Sequence, residues 1–175
     1  MPDTVHPFIA LAAEAITTFL SEQRVIAPPA GLFDEVPEAR HPAGVFVCLK
    51  QEGRLRGCLG TTEPAHGTRA AEIIANAIGA ATRDPRFPPV RRSEAAGLRI
   101  AVDVLGPCRP VSDPSELDPR RFGLLLRAGD RRSVLLPDLE GIDSVEAQLE
   151  AARHKAGIGA DQRVDLFRFE VMRYR

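Results

Sequence analysis

Val45-Phe46-Val47-Cys48-Leu49-Lys50-Gln51-Glu52-Gly53-Arg54-Leu55-Arg56-Gly57-Cys58-Leu59-Gly60 reads as two apolar strands joined by a tight turn. Successive strand side chains alternate between faces, so Arg54, Arg56 and Cys58 are expected on one face and Leu55 and Leu59 on the other. A thiol beside fixed positive charge titrates low. Gly57 and Gly60 mark places where backbone can come close to a ligand or another strand. The turn decides the rest. A two-residue turn at Glu52-Gly53, the preferred reading, pairs Val47 with Cys58 and Leu49 with Arg56 and leaves Cys48 on the opposite face. A three-residue turn centred on Gly53 would instead set Cys48 directly across from Cys58.

Working outward, Phe8, Leu11, Ala12, Ala15, Phe19 and Leu20 repeat at helical spacing, which predicts a helix from about Pro7 to about Gln23. Residues 27–42 carry four prolines and Gly31 and are expected to cross the surface as a long connection. From Thr68 to Ala81 a second helix is predicted with Ala71, Ile74, Ala75, Ile78 and Ala81 inward. Asp84-Pro85-Arg86-Phe87-Pro88-Pro89 stops it and builds a stiff loop. Leu98–Leu105 alternates as a strand, and Gly129-Asp130 turns a second hairpin between 122–126 and 133–136. Asp143 with Glu146 resembles a capping box that opens a helix ending at Gly157. Phe167, Phe169 and Val171 lie on one face of a last strand. Hairpins and helices come in blocks rather than in strict alternation, which predicts an α+β fold in one domain over residues 1–175.

Composition excludes several classes. The chain has 175 residues, 23 basic and 24 acidic, so the net charge is -1 and nucleic acid is disfavoured as a partner. One tyrosine and no tryptophan leave little for base stacking. No apolar run is long enough to span a membrane, and a cytoplasmic location is expected. Three cysteines without a Cys-x-x-Cys pair argue against a disulfide framework and against a zinc ribbon, and the four histidines lack metal-binding spacing. The residues name no cofactor.

Gly44-Val45-Phe46-Val47, Leu55-Arg56-Gly57-Cys58-Leu59-Gly60-Thr61, Asp84-Pro85-Arg86-Phe87, Leu135-Leu136-Pro137 and Lys155-Ala156-Gly157 together resemble the AMMECR family. The family is named after the Alport syndrome, midface hypoplasia and elliptocytosis chromosomal region. Its prokaryotic members are called AmmeMemoRadiSam system protein A. The resemblance implies a mainly antiparallel sheet with flanking helices, in two unequal lobes around a cleft. It also implies that the Asp84–Phe87 loop lies near the Arg-Gly-Cys strand, and that the protein works with a Memo-like protein and a radical S-adenosylmethionine enzyme. Many members carry a further cysteine in the helix before Lys-Ala-Gly, where this chain has Ala151-Ala152-Arg153-His154, so a mechanism with a second thiol from that helix is not expected.

Each candidate has a plain alternative. Cys58 is the candidate nucleophile with Arg56 lowering its pKa, although a strand cysteine often only fills space. Asp84 is a candidate orienting group or base, although Asp-Pro also simply starts turns. Arg86 and Lys155 are candidates to bind an anionic small molecule, with Gly57, Gly60 and Thr61 lining the same site. Lys155 is one of only two lysines, yet a cation in a last helical turn is also favoured by the helix dipole. Cys48 and Cys108 are assigned to packing. The rival to a cysteine-dependent enzyme or accessory is a non-catalytic scaffold for a ligand or partner.

Overall fold

A computed structural model describes residues 5–175 as two compact units, one reaching to Val104 and taking in Arg173–Arg175, the other Leu105–Met172. The fold is α+β. In the first unit, α1 (Pro7–Glu22) begins at a proline tolerated in the first turn and ends where Gln23 turns left-handed and its N–H reaches Phe19 O. The predicted apolar stripe is its buried face: Phe8, Leu11, Ala12, Ala15 and Ile16. Residues 27–42 do not simply cross the surface. They fold into a single helical turn, α2 (Leu32–Glu35), and a 3-10 turn at Pro37–Arg40. Leu32, Val36 and Ala39 from this stretch are buried in the core.

The signature hairpin is β1 (Val45–Gln51) and β2 (Arg54–Gly60), followed by α3 (Arg69–Thr82) and β3 (Arg99–Leu105). β1 pairs antiparallel with both β2 and β3. The turn has the two residues preferred from sequence, with Glu52 at φ 51° and Gly53 at φ 78°, the left-handed pair that matches strand twist. The pairing nevertheless differs from expectation. Gln51 opposes Arg54 and Lys50 opposes Leu55, but Leu49 then opposes Gly57 and Cys48 opposes Cys58. Arg56 is an extra residue on β2, a β-bulge that shifts the ladder by one and reverses the parity beyond it. A correct turn therefore gave a wrong partner for Cys58.

α3 packs on the face of this sheet that carries Val45, Val47 and Leu49, all fully buried. Its buried surface wraps most of the helix, including Ala70, Ile73, Ala77 and Ala80 rather than the expected Ala71 and Ala75.

The second unit holds β4 (Arg109–Val111), β5 (Gly123–Ala128), β6 (Arg131–Leu135), α4 (Val145–Ala156) and β7 (Asp165–Phe169), the strands ordered β4-β7-β5-β6. α4 packs on this sheet over Leu124, Leu126 and Leu135, through Ala152. Its N-cap is Ser144, not Asp143: the Ser144 hydroxyl accepts from Ala147 N at 3.1 Å. Ser144→Ala is expected to cost about 1 kcal/mol in urea unfolding, and Asp143→Ala much less. Gly157, at φ 64°, closes the helix as expected.

The single closing strand expected from Phe167, Phe169 and Val171 is two strands. β7 belongs to the second sheet, and β8 (Val171–Tyr174) completes the first, in the order β2-β1-β3-β8. The change of sheet falls at Glu170, and the apolar alternation runs through it without a break, which is why periodicity did not reveal it. Among the described residues no helix is long and apolar enough to cross a membrane.

Candidate functional site

β2 is an edge strand, so its outward backbone groups need partners from outside the sheet. The loop after α3 supplies them. Cys58 N–H donates to Asp84 Oδ2 at 2.9 Å. Arg86 closes on the same carboxylate three times: its backbone N–H and Nε donate to Oδ1, each at 3.0 Å, and Nη2 donates to Oδ2 at 2.8 Å. Asp84 is buried, and Arg86 has more than half of its side chain exposed. The Arg86 hydrogen bonds, with those from the Cys58 and Arg86 backbone, hold the Asp84 carboxyl far below its ordinary range despite burial. A carboxylate held by four donors is a permanent anion at neutral pH. It gathers the Cys58 N–H and the Arg86 guanidinium on one carboxylate, and a carboxyl held this low is a weak base.

Arg56, the bulged residue, reaches the other end of the loop. Its Nε and Nη2 donate to Glu94 at 3.0 and 3.2 Å, and Nη1 donates to Pro88 O at 2.9 Å. Arg56 keeps only 14% of its side chain exposed. Its charge is neutralised by Glu94, whose carboxyl is held low by the Arg56 hydrogen bonds first. Arg56 thus fastens the loop to β2 rather than serving as a spare cation for Cys58. Beside this clamp lies a cavity of about 420 Å³ lined by Arg56, Phe87, Pro88, Arg91 and Ser93, among others. The buried anchor of the loop is Val90, whose N–H donates to Ala81 O at 2.7 Å; Phe87 is only half-buried, with the Arg86 guanidinium 5.5 Å from its ring centroid.

Cys58 is not a lone thiol. Its sulfur is bonded to Cys48 across the ladder. The expectations of Cys48 as packing and of no disulfide framework both fail, and the bulge at Arg56 is the physical reason. Both cysteines are half-buried and alternate with Val47, Leu49 and Gly57, which lie under α3. Cys108 takes no part in this bond.

Three of the candidate ligand contacts have close partners within the fold. Gly57 faces α3, where a Cβ would lie 2.1 Å from Ala80 O. At Gly60 a Cβ would meet Phe46 Cγ at 2.3 Å and Val45 O at 2.4 Å. Thr61 donates its hydroxyl to Glu72 Oε1 at 2.6 Å. Lys155 belongs to the second unit, unlike the other candidates, and its Nζ donates to Val134 O at 2.8 Å, fastening α4 to β6.

Sequence reasoning missed Glu72. It is fully buried on α3 and accepts from Thr61 Oγ1, from the Ala65 and His66 amides, and faces His66 Nδ1 at 3.1 Å. Burial pushes its carboxyl up, but the bonds from Thr61, His66 and Ala65 outweigh burial and hold it below its ordinary value. Asn76, one turn on, donates to Val45 O at 3.0 Å. Glu72, Asn76 and Arg83 recur at helical spacing, and those polar groups along one stripe of a largely apolar helix were the available signal.

An α+β chain with two four-stranded sheets, one ending in an Arg-Gly-Cys-Leu-Gly edge strand clamped by an Asp-Pro-Arg-Phe loop, defines a distinct class of protein. The AMMECR1 family model matches residues 9–174, across both units, and the chain belongs to that family. It is 46% identical over 172 residues to a protein of Thermotoga maritima, covering 97% of this chain and 98% of that one. It is 38% identical to a protein of Clostridium acetobutylicum, of which it spans only 36%. The crystal structure of the uncharacterised protein PH0010 from Pyrococcus horikoshii is similar at a TM-score of 0.87 and 30% identity, over 95% of this chain and 88% of that one.

Proposed function

We propose that this protein is a ligand-binding accessory component, and that it does not act as a catalyst through Cys58 alone. The observation that carries this reading is the commitment of every group such a mechanism needs. The Cys58 sulfur is in a disulfide, Asp84 is held by four donors, and Arg56 is paired with Glu94. What the loop leaves open is cationic. Arg86 uses Nε and Nη2 on Asp84 and keeps its outer edge in solvent, and Arg91 lines the cavity beside it. A small carboxylate or phosphate suits that edge. Kinship with the AMMECR family supports a role beside a Memo-like protein and a radical S-adenosylmethionine enzyme, in the cytoplasm.

One observation favours a second reading, a cysteine-dependent activity. Cys48 and Cys58 are directly opposed on neighbouring strands, so reduction would release a pair of thiols at the site. In a reducing cytoplasm such a bond is transient, and Cys58 would act as the nucleophile only after it opens.

Complementation of a strain lacking the gene separates the two. On the accessory reading Cys58→Ser restores function, while Arg86→Ala weakens binding of the anion by about 1–3 kcal/mol. A Cys58→Ser protein that folds normally yet fails to complement, while Cys48→Ser succeeds, would reject the accessory reading in favour of the thiol.

A further inference from the structure

The second unit contains a cavity of about 300 Å³ that no part of the foregoing reading uses, and three arginines meet in it: Arg109 on β4, Arg168 on β7 and Arg121 from the connection between β4 and β5. We propose that it is a binding site for the phosphate group of a small molecule.

The strand register makes the case. Arg109 and Arg168 are directly opposed in the antiparallel β4–β7 ladder, so they project from the same face. Like charges at opposed positions destabilise a sheet unless something neutralises them. Carboxylates nearby are too few or already engaged. Glu170 accepts from Arg121 Nε and Nη2 at 3.1 and 2.9 Å through one oxygen. Glu116 lies within electrostatic reach of Arg168, but its Oε1 accepts from the Ser112 and Asp113 amides. Arg109 has no side-chain partner among the described residues.

The arginines are also held in place. The Arg121 and Arg168 guanidinium carbons stand 4.8 and 4.6 Å from the centroid of the Phe122 ring. Arg168 Nη1 additionally donates to Glu116 O. Two planar cations are thus stacked on one rigid ring, with Arg109 completing a third side. Such preset forks match phosphate oxygens, and little side-chain entropy is lost when they close on an anion. The cavity is at the small end of ligand sites and admits a phosphate monoester or diphosphate rather than a large cofactor. A nucleic acid backbone is a poorer fit to a chain with a net charge of -1.

Calorimetric titration of the full chain with pyrophosphate, at low and at physiological ionic strength, tests the proposal. In an Arg86→Ala background, which removes the anion edge proposed for the first unit, one saturable site per chain is expected, and Arg109→Gln should weaken it by about tenfold or more. Because the Arg109 side chain has no partner among the described residues, the same variant should melt at a higher temperature than the parent without ligand, since the repulsion with Arg168 is gone. Arg24→Ala, at an exposed cation paired with Glu22 and outside this cavity, should leave the titration unchanged. Binding that survives Arg109→Gln overturns the proposal, as does a signal that never saturates. Loss with Arg86→Ala but not with Arg109→Gln would move the anion to the loop in the first unit. A single-stranded oligonucleotide that binds more tightly than pyrophosphate and depends equally on Arg109 would replace the small molecule by a nucleic acid. An Arg109→Gln protein no more stable than the parent would remove the repulsion from which the site is inferred.

Discussion

Gly57→Ala is expected to destabilise the protein by about 3 kcal/mol or more, the upper part of the range for overpacking a close contact. The added Cβ would stand 2.1 Å from the carbonyl oxygen of Ala80 and 3.1 Å from its carbon, both backbone atoms of α3. A side chain could rotate away; a helix backbone cannot. Relief requires α3 to lift from β1 and β2, which uncovers Val47, Leu49 and Ile73. Gly31→Ala, where no atom lies within 4 Å of the new Cβ, is the control and should change stability by less than about 0.5 kcal/mol. Urea unfolding of the two variants decides the matter. If Gly57 instead served as a ligand contact, its alanine variant would unfold like the parent and lose only binding.

Asp84→Asn is the second large effect, at about 2–4 kcal/mol. The amide places its NH₂ group against donors on one side, so one arm of the Arg86 fork loses its acceptor in either orientation, together with the Cys58 N–H where NH₂ replaces Oδ2 or the Arg86 N–H where it replaces Oδ1. The discount from a fully buried pair reflects the exposed half of Arg86. The pH dependence follows from the depressed Asp84 pKa. With the folded carboxyl titrating below its unfolded value, the stabilisation is complete above the ordinary aspartate range near pH 4 and is lost as pH falls through the folded value. Unfolding free energy measured from neutral pH downward should therefore drop more steeply in the parent than in Asp84→Asn. Parallel acid limbs would mean that Asp84 is not the group that the fold holds ionised.

The same residues show what was legible. The α1 stripe, the two-residue turn at Glu52-Gly53 and the left-handed close at Gly157 each depend on neighbours within one helical turn or one hairpin loop. Local spacing and local backbone preference suffice for these, and the family motifs suffice for the α+β class. The association of Asp84 with the Cys58 strand was expected only from the family; the bond itself joins residues 26 apart in the chain.

Tertiary structure decided the chemistry. The bulge at Arg56 arises because Gly57 must lie under α3 while Arg56 reaches Glu94, 38 residues away, and one extra residue in β2 satisfies both. That residue turned Cys58 toward Cys48 and converted a candidate lone nucleophile into half of a disulfide. Asp84 and Glu72 show the same limit, since a carboxylate's role depends on how many donors surround it, and those donors come from a strand and from loops that folding brings to the carboxylates. Periodicity in a sequence records which face is apolar. In β2 the mix of arginine, leucine and glycine does not show where an extra residue falls, so the register beyond Arg56 is set by contacts from outside the strand.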